Sequence, residues 1–321
     1  MSTATAGRNP SFGTGAGTGT SSLSLRKSSP RYGEKAVMAF LILAGALSVL
    51  ITVGIVLALL IPALAFFREV RVWDFLTGTR WAPTFADADF GVLPLITGTF
   101  WTTVIGLAIA VPFGLGAAVY LAEYANPKVR KVVKPVLEVL AGIPSVVYGY
   151  FALTFVAPVL LSTILKINVG TYSVLAAGLV LGVMIIPTVA SLSEDAMSAV
   201  PQSLRHGSLA LGANKMRTTL WVVFPAAISG IAASIVLALS RAVGETMIVA
   251  LAAGTRAQIV TNPTSNGQTM TGFIAQTATG ESTPGTLTYN TLFAVGLLLF
   301  TVTLVINIIS IRLVRRFRET Y

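Results

Sequence analysis

The chain has 321 residues, 54% of them hydrophobic and only 11% charged, with a net charge of +10, a single histidine and no cysteine. A soluble globular domain carries about one-quarter charged residues, so this composition, with a mean hydropathy of +0.81, places the chain in lipid. The lack of cysteine excludes thiol catalysis, a disulfide framework and zinc clusters with Cys ligands, and the basic residues flank apolar runs instead of forming an aromatic-interleaved stripe, which favours lipid headgroups over nucleic acid as the acidic partner.

Residues 1–35 are read as a disordered tail. They are rich in Gly, Ser and Thr with scattered Arg8, Arg26 and Lys27, and such a composition buries too little apolar area to offset the entropy of ordering. The apolar run 36–67 follows. It is much longer than a signal-peptide core and leads to no small-residue cleavage site, so a retained first helix is predicted. Further apolar stretches lie at 93–120, 135–165, 173–189, 226–253 and 292–314. Each approaches or exceeds the roughly 17 to 25 residues that cross a hydrocarbon core. The predicted fold is an all-α integral membrane protein of about six transmembrane helices over residues 36–318, with 319–321 as a C-terminal end.

Lysines and arginines set the expected orientation. Arg8, Arg26, Lys27, Arg31 and Lys35, then Lys128, Arg130, Lys131 and Lys134, then Arg205, Lys215 and Arg217, and finally Arg312, Arg315, Arg316 and Arg318 fall on one side. The opposite loops hold only Arg68, Arg71, Arg80, Lys166 and Arg256, so the positive-inside rule puts both termini in the cytoplasm. The outer segment 68–92 carries Trp73, Phe75, Trp81 and Phe85 among Asp74, Asp87 and Asp89, a mixture suited to the headgroup level; a substrate-sensing loop is the alternative. The outer loop 254–290 is dominated by Thr, Gly, Asn and Gln with Pro263 and Pro284, and reads either as a surface that meets an external partner or as a plain solvated connection.

Two places carry chemistry. The cytoplasmic loop 198–224 contains the apolar points Leu204, Leu209, Leu211, Met216, Leu220 and Trp221 among Arg205, Lys215 and Arg217. Two short helices hinged at Gly212 would present apolar and basic faces at the membrane surface, either to lipid or to a protein. His206 stands without the companions a metal site needs, so no metal is expected. In the fifth helix, Arg241 and Glu245 lie four apart inside an apolar run flanked by Ser240 and Thr246, which predicts one shared face. An ionised group at membrane depth costs several kcal/mol unless paired or facing water. Either the two form a buried pair that fixes packing, or Arg241 offers its planar fork to a tetrahedral oxyanion and Glu245 holds the arginine when the anion is absent. In the third helix Pro144 interrupts the ladder just before Ser145 and Tyr148. That is either a simple kink or a restart whose free N–H groups line the same path.

The loop spacing carries a resemblance. Permeases of ABC importers have a cytoplasmic pattern of EAA, three residues, Gly, nine residues, Ile, one residue and Leu-Pro. Here His206-Gly207-Ser208, Gly212, Val222, Phe224 and Pro225 fall at those intervals, with the EAA triplet replaced. Together with residues 142–149 and 240–247, the chain resembles the permease subunits of the phosphate-specific transport system over nearly its whole transmembrane part. The long first helix with its Trp-bearing outer segment resembles the PstC-type subunit more than the PstA type. The resemblance implies a type I importer permease fold and a coupling helix over Arg205, His206, Gly207, Ser208, Leu209, Gly212, Ala213 and Lys215. It implies a substrate path using Ser145, Tyr148, Ser240, Arg241, Glu245 and Thr246, in the plasma (inner) membrane of a prokaryote. Implied partners are a PstA-type permease, a PstB-type ATPase dimer, a PstS-type external phosphate-binding protein, phosphate and lipid, with ATP and Mg bound only on the ATPase. The chain agrees in having no Gly-x4-Gly-Lys-Ser/Thr phosphate loop.

Three other readings remain. A permease for sulfate or molybdate shares the chemistry, because one arginine does not tell tetrahedral anions apart. An ATP-independent anion channel would need no ATPase. An intramembrane enzyme needs a base and nucleophile or a metal cluster, and the helices offer one Arg, one Glu and no histidine.

Overall fold

A computed structural model describes residues 32–85, 87–280 and 283–316. The chain divides into two units, residues 1–53 and residues 54–321. In the first, the expected tail lies outside the described residues up to residue 31; helix α1 (Tyr32–Glu69) already includes residues 32–35, and its side chains from 33 to 53 are exposed. The C-terminal end, 319–321, also lies outside the described residues.

The second unit continues with α2 (Val72–Thr77), a hairpin of β1 (Trp81–Ala82) and β2 (Asp89–Phe90), and α3 (Leu93–Val119), which ends in a wide π turn over Tyr120–Tyr124. Next come α4 (Pro127–Ala141), α5 (Ser145–Phe151) with its π-wound continuation Ala152–Ile164, and α6 (Val174–Ser198). The rest comprises α7 (Gln202–Ala210), α8 (Lys215–Thr218), α9 (Phe224–Ala226), α10 (Ile228–Val243), α11 (Met247–Ala252), α12 (Met270–Thr279) and α13 (Leu287–Arg316). Five helices are long and apolar enough to cross a membrane, and a sixth span results if Lys215–Ala226 and Ile228–Val243, bent by 70° at Ala227, are taken together. This is the all-α, six-span architecture expected.

Helix α6 is the centre of the bundle. Its first turn is capped by Ser173, whose Oγ accepts from Ala176 N at 3.4 Å, and 67% of its most apolar stretch is buried, against 11% for α1 and α13. Small residues let it meet α3 backbone to backbone: a Cβ at Gly182 would lie 2.8 Å from Gly106 O, and one at Gly178 would lie 2.8 Å from Ile105 Cβ. On its other side the Ser193 and Ser234 hydroxyls share a 2.7 Å hydrogen bond with α10.

Three expectations are corrected. The third apolar run does not begin its span at 135. Residues 135–141 belong to α4, whose side chains are nowhere fully buried, and the span is only Ser145–Ile164. Pro144 starts this span, with an extended ψ of 134°, because a residue with no N–H and a fixed φ fits ahead of the first turn. The fifth run is not one helix over 226–253, since it bends at Ala227 and breaks at 244–246. In the outer segment, Phe75 and Trp81 do not reach headgroups: they are 1% and 5% exposed, packed edge to face with Phe66, Phe67 and Phe273. Only Trp73 and Phe85, 73% and 67% exposed, are free to do so.

Candidate functional site

Helix α10 ends where Gly244 follows Val243. Beyond it the chain tightens, with Glu245 N donating to Ala242 O at 3.4 Å, and α11 then begins at Met247 after Thr246, with the Glu245 side chain folded over its first turn. The Glu245 Oε1 accepts from Met247 N at 3.1 Å and Ile248 N at 3.4 Å, satisfying donors that a helix start leaves open. Its carbonyl accepts from the Thr271 hydroxyl of α12 at 2.6 Å. Thr246 Oγ1 donates to Gly244 O at 3.2 Å, and Ser240 Oγ donates to Asn307 Oδ1 of α13 at 2.7 Å. The expected pairing of Glu245 with Arg241 is not formed. With the helix broken between them the two no longer share a face, and Arg241 is exposed and makes no hydrogen bond or ion pair among the described residues.

Helix α5 packs beside this break. Gly149 lets the two backbones touch, since a Cβ there would lie 3.1 Å from both Ile248 Cα and Met247 O. Tyr148 is thereby held within electrostatic range of the Arg241 guanidinium, and its hydroxyl donates to Leu140 O of α4 at 3.1 Å. Ser145 opens the same helix, half-buried.

The second candidate site is the corner formed by α7 and α8. Arg205, counted among the contact residues, turns inward: it is 9% exposed and donates to Glu123 Oε1 at 3.0 and 3.1 Å, to Met197 O at 2.7 Å and to Val200 O. It therefore ties α7 to the ends of α3 and α6 and is not displayed. Ser208 shares a 2.9 Å hydroxyl bond with Thr218, and Lys215 Nζ sits 5.1 Å over the Tyr124 ring. Gly212 turns the chain at a φ of +83°, a conformation that costs other residues a clash at Cβ, and Ala213 follows it, half-buried. Asn214 then caps α8 by accepting from Arg217 N at 2.8 Å. What the corner displays is His206, Gly207 and an apolar ridge of Leu209, Leu211, Met216 and Trp221, with Leu211 90% and Trp221 77% exposed. Behind the ridge a cavity of about 460 Å³ is lined by Glu123, Arg130, Ser198, Arg205, His206 and Lys215.

The binding-protein-dependent transport system inner membrane component family matches residues 110–319, a stretch that takes in both sites. The chain belongs to this family. The permease is similar to the probable ABC transporter permease protein YqgH of Bacillus subtilis, 40% identical over 242 residues that cover 75% of this chain and 76% of the relative. It is also similar to the phosphate transport system permease protein PstC 1 of Mycobacterium tuberculosis, 35% identical over 281 residues, 77% of this chain and 82% of the relative. Its fold matches a chain of the crystal structure of a bacterial alginate ABC transporter, with a TM-score of 0.63 at 14% identity over 91% of this chain and 99% of that one. A chain of the MetNI methionine ABC transporter matches with a TM-score of 0.52 at 23% identity over 71% and 95%. The fold of the permease is that of type I ABC importers.

A charged cluster of the permease lies apart from the residues that stand out in its sequence. Glu194, fully buried on α6, accepts from Arg130 and at 2.8 Å from Lys134 of α4, and Lys134 also reaches Asp195 at 2.5 Å. Those bonds, the one to Asp195 first, hold the Lys134 ammonium above the usual lysine range against the opposing effect of burial. The fourth apolar run covers 173–189 and the loop that follows begins at 198, so residues 190–197, with Glu194 and Asp195, carry no expected role, whereas α6 continues through them to Ser198. Two adjacent acids one and a half turns beyond an apolar helix, in a chain with 12 acids in all, were the available signal. Among the described residues no group of three His, Cys, Asp or Glu is placed to hold a metal ion.

Proposed function

We propose that this permease carries inorganic phosphate inward by alternating access, as the PstC-type subunit of an importer whose ATP hydrolysis takes place on a separate cytoplasmic ATPase dimer. A second, PstA-type permease completes the path, an external binding protein delivers the anion, and both termini face the cytoplasm of a prokaryotic cell. The single observation that carries this reading is the unpaired Arg241 guanidinium at the helix break beside Tyr148. A fixed cation without a carboxylate partner, at a gap in an apolar span, is arranged for a mobile anion. The likeness over most of the chain to phosphate transport permeases supports phosphate as that anion.

Glu245 takes a different part from the one its spacing suggested. By capping α11 it fixes the shape of the gap, and the arginine is left available for the substrate. On the far side of the bundle, the ridge at Leu211 and Trp221 supplies the apolar contact through which closure of the ATPase would move α7 and α6.

The test is labelled phosphate uptake with ATP hydrolysis in proteoliposomes holding the permease and its co-purifying partners. Arg241→Ala is expected to abolish uptake while the complex still assembles and hydrolyses ATP; normal uptake by that variant would remove Arg241 from the path. Unlabelled sulfate is expected to compete poorly, and inhibition equal to that by phosphate would replace the phosphate assignment with a general oxyanion one. An importer that retains no ATP-hydrolysing subunit in mild detergent would favour a channel.

A further inference from the structure

Helix α4 has no fully buried residue, so apolar packing does little to hold it in place. What joins it to α6 is an ion cluster centred on Glu194, with Asp195 at its exposed edge 2.5 Å from Lys134 Nζ. Glu194, fully buried, receives Arg130 Nη2 on one oxygen and Lys134 Nζ on the other at 2.8 Å, while Ser198 Oγ donates to it at 2.9 Å and accepts from Arg130 at 3.0 Å. Arg130 and Lys134 are one helical turn apart, so both project toward α6 from the same face.

Each end of this joint leads to one of the two sites. Below Glu194, α6 ends at Ser198 and α7 starts at Gln202, and Arg205 of α7 bonds back to Met197 O and Val200 O of that same stretch. The corner helix is thus fastened to the end of α6. In the other direction α4 ends at Ala141, the Tyr148 hydroxyl of α5 bonds to Leu140 O of α4, and α5 contacts α11 through Gly149 beside Arg241. No other side-chain hydrogen bond or ion pair joins α4 to α6 among the described residues, so the polar link from the corner to α4 and on to Tyr148 runs through Glu194 and its neighbour Asp195, beside the direct packing of α5 and α11 on α6.

We propose that Glu194 is a positioning residue for transport: its buried carboxylate, clasped by Arg130 and Lys134, makes α4 move with α6, so that motion of the α7 corner is delivered to α5 and the Arg241 gap. The proposal rests on the importer reading. Its substance is coupling, because a carboxylate that only stabilised the fold would affect uptake and ATP hydrolysis together.

The experiment compares phosphate uptake and ATP hydrolysis, in proteoliposomes holding the complete importer, for wild type, Glu194→Gln, Lys134→Met and Lys134→Arg. Glu194→Gln keeps the shape and removes the charge; Lys134→Met is the safer variant for folding, because that side chain is 28% exposed. Phosphate carried per ATP is expected to fall about tenfold in Glu194→Gln and Lys134→Met, with hydrolysis within about twofold of wild type and the complex intact on size exclusion. Lys134→Arg, which keeps the charge, is expected to restore the ratio. An unchanged ratio in both Glu194→Gln and Lys134→Met overturns the proposal, and so does a parallel loss of uptake, hydrolysis and assembly in Lys134→Met. If wild type carries another oxyanion in place of phosphate, the substrate assignment fails separately and the same ratio is read with that anion.

Discussion

The Glu245 carboxylate accepts two backbone N–H groups at the start of α11, whereas the Arg241 guanidinium, four residues earlier, bonds to nothing among the described residues. The two should therefore separate stability from transport. Loss of a cap costs about 1 kcal/mol, so Glu245→Ala is expected to lower the thermal unfolding midpoint of the detergent-solubilised permease. Arg241→Ala removes an exposed, unpaired side chain and should stay within about 0.5 kcal/mol of wild type while uptake is lost. A stability loss in Arg241→Ala as large as that in Glu245→Ala would mean the pair forms after all. A similar contrast applies at the corner. Gly212→Ala forces a side chain into a left-handed conformation at a cost of about 1 to 2 kcal/mol, read as a lower midpoint. Gly207→Ala meets nothing within 4 Å on a helix and should be neutral or stabilising by a few tenths to about 1 kcal/mol. Both charged residues at the helix break could be read in the sequence because ionised groups stand out in an apolar run. Their separation could not, because the spacing argument assumes a continuous helix and the acceptor that replaces it is the Glu245 side chain itself.

Helix α4 illustrates what hydropathy merges and what structure divides. Its last residues are apolar enough to extend the run that follows, and only the path of the chain through residues 142–144 shows that a surface helix stops there. Helix α12 was hidden in another way. It lies within the polar segment 254–290, capped by the Thr269 hydroxyl accepting from Gly272 N at 3.0 Å, and its Thr and Gln content gives no periodic signal over only ten residues. Because ions hold α4, its attachment should depend on pH with a definite sign. Lys134 titrates higher when folded, so its contribution is complete below the ordinary lysine value of about 10.4 and is lost as pH rises through the raised value. The chain has no cysteine, so spin labels placed through Lys131→Cys and Gln202→Cys report directly on the joint. Their distance distribution is expected to stay narrow across neutral and mildly alkaline pH and to broaden only above the usual lysine range. Broadening near neutrality would show that the lysine is not held.

Within residues 54–321 burial is concentrated on α6 and scarce on α13, and the number and rough placement of the spans follow from apolar length. What length does not reveal is which exposed apolar surface lies outside the spans. The ridge at the corner is one, and if it seats the proposed ATPase, Leu211→Glu is expected to cut retention of the ATPase on the tagged permease about tenfold or more without moving the unfolding midpoint of the permease itself. Retention at the wild-type level would assign that ridge to lipid. The meeting of α3 and α6 has a mechanical consequence of its own. Where backbone touches backbone at Gly106, Gly178 and Gly182, neither helix can slide along the other without a Cβ or a carbonyl striking its neighbour. Close approach there resists sliding of one helix along the other, and the backbone breaks at residues 142–144, Ala227 and residues 244–246 offer places where rotation is taken up instead.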